Sequence, residues 1–128
     1  MKMIKPIFIC LACILSLAGC ARTAAINNVN TSLTAQYPEE QLKTAILQAG
    51  LADKWIMTPA QPGVINGRLN LRTHQADIRI TYNANGYKIT YVASKNLLAD
   101  GKGQIHRNYN NWISNLDRDI QLKLSAAH

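Results

Sequence analysis

The chain has 128 residues, enough for one domain, and 48% of them are hydrophobic. Fourteen Lys and Arg against seven Asp and Glu give a formal charge of +7, a bias toward anionic partners that is modest once the leader is set aside. The apolar fraction is unevenly spread: residues 1–19 carry Lys2 and Lys5, then the run Ile7-Phe8-Ile9-Cys10-Leu11-Ala12-Cys13-Ile14-Leu15, and no acid. A short cationic stretch, a short apolar stretch and then small residues predict a secretory signal. The run is shorter than the roughly 20 apolar residues of a comfortable bilayer span.

The small-residue end reads Leu17-Ala18-Gly19-Cys20. It resembles the bacterial lipobox, an aliphatic residue and two small ones before a Cys. The resemblance implies that the Cys20 thiol takes a diacylglycerol by a thioether bond. Cleavage then frees its amine for N-acylation. Each buried methylene contributes about 0.8 kcal/mol, so one multiply acylated residue suffices for stable anchoring. An ordinary signal with a chance Cys, or an uncleaved anchor, is the competing reading. Ala21 follows Cys20 where an inner-membrane retention signal would carry Asp, which predicts an outer-membrane address facing the periplasm. Cys10 and Cys13 have CxxC spacing but fall in the leader, so the mature domain is expected to fold without a disulfide. Its balance is twelve basic against seven acidic residues, a charge of +5.

Residues 20–36 read as the lipidated N-terminus and a flexible tether, because Asn27, Asn28, Asn30, Thr31, Ser32 and Thr34 crowd it without periodicity. The globular domain is then 37–128. Its first helix is predicted from Pro38, which suits a first helical position, to Ala49, with Gly50 as the C-terminal cap. Leu42, Ala45, Ile46 and Ala49 fall on one face. A short strand follows at Lys54–Thr58, broken by Pro59 and Pro62-Gly63. Ile65, Leu69 and Leu71 alternate with Arg68, Asn70 and Arg72. His74-Gln75 marks a tight connection. Ala76, Ile78, Ile80 and Tyr82 alternate with Asp77, Arg79 and Thr81. Asn83–Gly86 is a turn, and Tyr87, Ile89 and Tyr91 alternate with Lys88 and Thr90. After an Asp100–Gly103 loop, a last helix is expected from an Asn108 N-cap, with the stripe Tyr109, Trp112, Ile113, Leu116, Ile120 and Leu124. The order predicts a two-layer α+β domain: an antiparallel three- to four-stranded meander covered by an N-terminal and a C-terminal helix.

The chain lacks HExxH, GxSxG, P-loop and dinucleotide-binding patterns. Neither a metal nor a cofactor is expected. His74, His106 and His128 are the histidines; His106 with Ser94 or Asp100 could form a small hydrolytic site, and the plainer reading has His106 ordering the helix start. Arg68, Arg72, Arg79 and Lys88 are expected to share the polar face of the sheet, opposed by Asp77. In a periplasmic setting such a face would meet an envelope protein or an anionic envelope ligand, and nucleic acid is excluded. An ordinary solvated face is the alternative.

Four stretches carry a further resemblance: Arg72-Thr73-His74-Gln75-Ala76, Tyr87-Lys88-Ile89-Thr90-Tyr91, Ser94-Lys95-Asn96-Leu97, and Ile105-His106-Arg107-Asn108-Tyr109-Asn110-Asn111-Trp112-Ile113-Ser114-Asn115-Leu116. Together they resemble a group of small uncharacterised proteobacterial lipoproteins with an IHxxYNxWIxNL-type segment. Leu98-Ala99-Asp100 departs from that pattern, where an aromatic often follows. The resemblance implies no activity and no catalytic residues. The sequence thus predicts a membrane-anchored envelope lipoprotein acting as a non-enzymatic binding or accessory module. A small hydrolase using His106, or a purely structural assembly component, is the alternative.

Overall fold

A computed structural model describes residues 22–126. The leader, Cys20, Ala21 and His128 lie outside the described residues. The fold is α+β, with two helices, a five-stranded antiparallel sheet and a separate two-stranded one. In chain order the strands are β1 (Thr23–Ala25), β2 (Val29–Ser32), β3 (Trp55–Gln61), β4 (Val64–Leu71), β5 (His74–Asn83), β6 (Gly86–Lys95) and β7 (Gln104–His106). The helices are α1 (Glu39–Ala52) and α2 (Arg107–Ala126). The large sheet runs β2-β6-β5-β4-β3, and β1 pairs with β7.

β3 to β6 form the expected meander, because period-two alternation buries one side of each strand. Ile65 and Leu69, then Ala76, Ile78 and Ile80, then Tyr87 and Ile89 face inward. The helices cover that face. α1 contributes Leu42, Ala45, Ile46 and Ala49; α2 contributes Tyr109, Ile113, Leu116, Ile120 and Leu124. Tyr91 and Tyr109 meet edge to face, with centroids 5.5 Å apart.

The segment read as a tether is structured from Thr23 onward. β2 pairs with β6 through Val29↔Ile89 and Thr31↔Tyr87, and Ile26, Val29 and Leu33 pack on the core. Asn27 and Asn28 conceal this because they are spent on long-range contacts. The Asn27 N–H donates to Asn110 Oδ1, and the Tyr91 N–H donates to Asn28 Oδ1. Pairing with a distant edge satisfies the backbone of a segment too polar to order itself.

Four boundaries shift as well. α1 continues to Ala52, and Gly50 is buried inside it because Met57 occupies the space a Cβ would need. The chain reverses instead at Asp53 and Lys54, with Lys54 at φ 70°. β3 runs through Pro59, as an edge strand can when the missing N–H faces away from the ladder. The β4–β5 turn is Arg72-Thr73, not His74-Gln75, since Leu71 pairs with His74. At the start of α2 the Asn108 N–H donates to His106 Nδ1 at 3.1 Å, so His106 takes the capping role expected of Asn108.

Candidate functional site: the outer face of the sheet

Cross-strand register decides which side chains meet on the uncovered face. One row reads Ile56↔Arg68↔Asp77↔Ala93, the next Thr58↔Asn66↔Arg79↔Thr90, and a third Val64↔Thr81↔Lys88↔Asn30. Arg68, Arg79 and Lys88 therefore fall on a diagonal across β4, β5 and β6, each two residues out of register with the next. Arg72 does not join them. It sits in the β4–β5 turn at φ 57°, beyond the last ladder pair, so its side chain leaves the row.

The face is less cationic than the residue types suggest. Arg68 binds Asp77 side-on, Nε to Oδ1 at 2.7 Å and Nη2 to Oδ2 at 3.2 Å. An exposed pair like this adds little to stability, but its two-point geometry fixes both side chains. Arg79 Nε donates to Asn66 Oδ1 at 3.4 Å. Among the described residues Arg79 and Lys88 form no ion pair.

Apolar groups flank this polar centre. Ile56 on β3 is 61% exposed and Val92 on β6 is 45% exposed. Val92 is delivered by a bulge: Ile78 pairs with Tyr91 while Asp77 pairs with Ala93, leaving Val92 unmatched. Ile56, Val92, Arg68, Asp77, Arg79 and Asn66 line a shallow groove of about 550 Å³. Alternation along β3 signals Ile56, but nothing in the sequence marks the bulge.

His106, Ser94 and Asp100 are not joined to one another. His106 accepts from Asn108, Ser94 shares a 2.7 Å hydrogen bond with the Tyr91 hydroxyl, and Asp100 Oδ1 accepts from the Lys102 and Gln104 N–H groups. Among the described residues no group of three or more His, Cys, Asp or Glu could hold a metal. No helix among them is long and apolar enough to cross a membrane.

A second cleft, unforeseen in the sequence, lies where the end of α1 meets α2. Asp53, Trp55, Leu69, Trp112, Asn115 and Arg118 line about 150 Å³. Burial, and then the neighbouring Asp119 carboxylate, push the Asp53 carboxyl up to about 6, while Arg118 opposes the rise. Asp119 is lowered in turn, chiefly by its hydrogen bond with Asp53. A carboxyl that holds its proton more tightly when folded favours folding at low pH, and that advantage is lost as pH rises from about 4 to about 6. Asp53→Asn is therefore expected to raise the melting temperature at pH 7.5, with the gain closing below pH 4, where the Asp53 carboxyl is protonated in the folded protein. Thermal denaturation at the two pH values checks it; an unchanged or lower melting temperature at pH 7.5 would rule out the repulsion.

No protein-family model matches the chain, and no curated protein or solved structure matches it.

Proposed function

We propose that this protein is a lipid-anchored envelope protein, and that its outer sheet face binds a partner protein. The observation that carries the binding reading is the groove in which exposed Ile56 and Val92 flank the Arg68–Asp77 pair. Apolar groups around a fixed, internally neutralised ion pair suit a protein surface better than an anionic polymer, which would need uncompensated charge. Arg79 and Lys88 add orientation at the side of the groove. In this reading the module is non-enzymatic, and the hydrolytic alternative has to reassemble three side chains that each hold other partners. Leu17-Ala18-Gly19-Cys20 supports the anchor, and Ala21 an outer-membrane address facing the periplasm. The likeness to small proteobacterial lipoproteins points the same way.

Crosslinking in intact cells, followed by mass spectrometry, tests the partner. Ile56→Asp with Val92→Asp is expected to weaken capture by tenfold or more, because charges would be desolvated at the centre of the contact. Arg79→Glu is expected to weaken it less. Capture unchanged by the double variant would remove the face from consideration. The mass of the mature N-terminal peptide tests the anchor, and Cys20→Ser is expected to release the protein from the membrane fraction.

A further inference from the structure

Arg22 is built into the fold. Its carbonyl accepts the Arg107 N–H at 3.1 Å, and the next residue, Thr23, pairs with His106. Successive Cα atoms are about 3.8 Å apart, so Cys20 lies within about 8 Å of Arg22 whatever path the chain takes. A lipid on Cys20 would bring Arg22 and its surroundings down to the headgroups.

Those surroundings can be followed bond by bond. Arg107 follows His106, whose N–H donates to the Leu97 carbonyl at 2.8 Å. Leu97 is buried, but Leu98 beside it is 53% exposed and stands at φ 57°. On the other side of Leu97, the Asn96 carbonyl accepts from His74 Nδ1 at 2.6 Å, and Asn96 Nδ2 donates to Thr73 Oγ1 at 2.7 Å. Thr73 shares its turn with Arg72. Arg22, Arg72 and Arg107 are exposed, and none forms an ion pair among the described residues. The acid of the nearby loop, Asp100, turns its Oδ1 onto the Lys102 and Gln104 N–H groups. α2 starts at this end without an acid in its first turn, which leaves its positive pole uncompensated.

We propose, resting on Cys20 as the acylated residue, that this end of the domain docks directly on the phospholipid surface: Arg22, Arg72 and Arg107 meet lipid phosphates and Leu98 enters the interface. Three guanidinium groups with no carboxylate partner complement anionic headgroups. A half-exposed leucine in the left-handed region costs the free domain backbone energy, whereas burial of its uncovered surface in the interface rewards the apolar side chain. With Thr23 already in β1, the anchor has no slack to hold this end away.

Hydrogen exchange of the mature, acylated protein reads out the contact. Amides of 96–103 are expected to exchange several-fold more slowly on vesicles of phosphatidylethanolamine and phosphatidylglycerol than in non-ionic detergent micelles. Amides of 118–126, far along α2, should exchange equally in both. Arg22→Glu with Arg72→Glu and Arg107→Glu is expected to abolish the difference. Leu98→Asn, which suits the left-handed backbone, should reduce it and carries the test if circular dichroism shows the triple variant unfolded. Equal exchange of 96–103 in vesicles and micelles, with Cys20 acylated, overturns the docking and leaves the anchor standing. Protection that survives both variants also overturns this surface. An unacylated Cys20 overturns the anchor and the docking together, and the mass of the N-terminal peptide separates that failure from the others.

Discussion

Gly86→Ala is expected to destabilise the protein by about 3 kcal/mol, with a fall in Tm of roughly 10–20 °C. Gly86 opens β6 and pairs with Ser32 of β2. A Cβ there would lie 2.2 Å from the Thr31 carbonyl oxygen and 3.3 Å from the Ser32 Cα. Both are backbone atoms, so no rotamer change relieves the overlap. β2 has to move off its partner strand, and the packing of Ile26, Val29 and Leu33 goes with it. Gly101→Ala is the control: a Cβ there meets nothing within 4 Å, and the strain of φ +72° alone should cost about 1 kcal/mol. Urea denaturation of the two variants measures the contrast. Equal stability of Gly86→Ala and the parent would mean that β2 does not pack on β6.

Asp117→Ala should cost about 2 kcal/mol, because one carboxylate oxygen holds three elements together. Asp117 Oδ1 on α2 accepts from the Tyr87 hydroxyl on β6, from Thr31 Oγ1 on β2 at 2.8 Å and from Gln121 Nε2 at 3.2 Å. Tyr87 is buried, and burial first, then Asp117, raises its hydroxyl well above the ordinary tyrosine range, which keeps it a donor. Truncation leaves that donor without its carboxylate acceptor, with the Asp117 backbone carbonyl at 3.1 Å. Asp117→Asn keeps an oxygen in place and should cost less than half as much. If the hydroxyl is the main creditor of the carboxylate, Tyr87→Phe will add little in the Asp117→Ala background, and a double-mutant cycle reads this directly. Additive losses would show that the contacts act separately.

The two substitutions attack the same feature from opposite sides. β2 is held by β6 through its ladder and by α2 through the Thr31–Asp117 hydrogen bond, and under the proposed acylation of Cys20 that hold would set where the sheet face stands relative to the anchor. Releasing β2 is expected to loosen this placement before it disturbs the meander, since β3 to β6 pair among themselves.

Much of the fold was legible from periodicity alone. The stripe from Tyr109 to Leu124 and the alternation through β4, β5 and β6 depend on local spacing, and burial follows that spacing closely. That Arg68, Arg79 and Lys88 share the outer face was legible for the same reason, whereas their diagonal came from cross-strand register. Arg72 was misplaced because its turn contains none of the Gly, Asn or Asp that announces a positive φ. Val92 reached the outer face through a bulge whose position depends on how two strands match, not on either one.

By itself the sequence determined the amphipathic faces of both helices and the alternation of β4, β5 and β6, and it carries the lipobox-like Leu17-Ala18-Gly19-Cys20, all of which are written in residues close together along the chain. Only the tertiary structure decided that residues 23–25 and 29–32 are strands, that Asp53 meets Asp119, and that Arg22, Arg107, Arg72 and Leu98 share one end. The physical reason is the same in each case. A polar segment orders itself only when a distant edge or side chain satisfies its backbone, and no local pattern records which distant group that is.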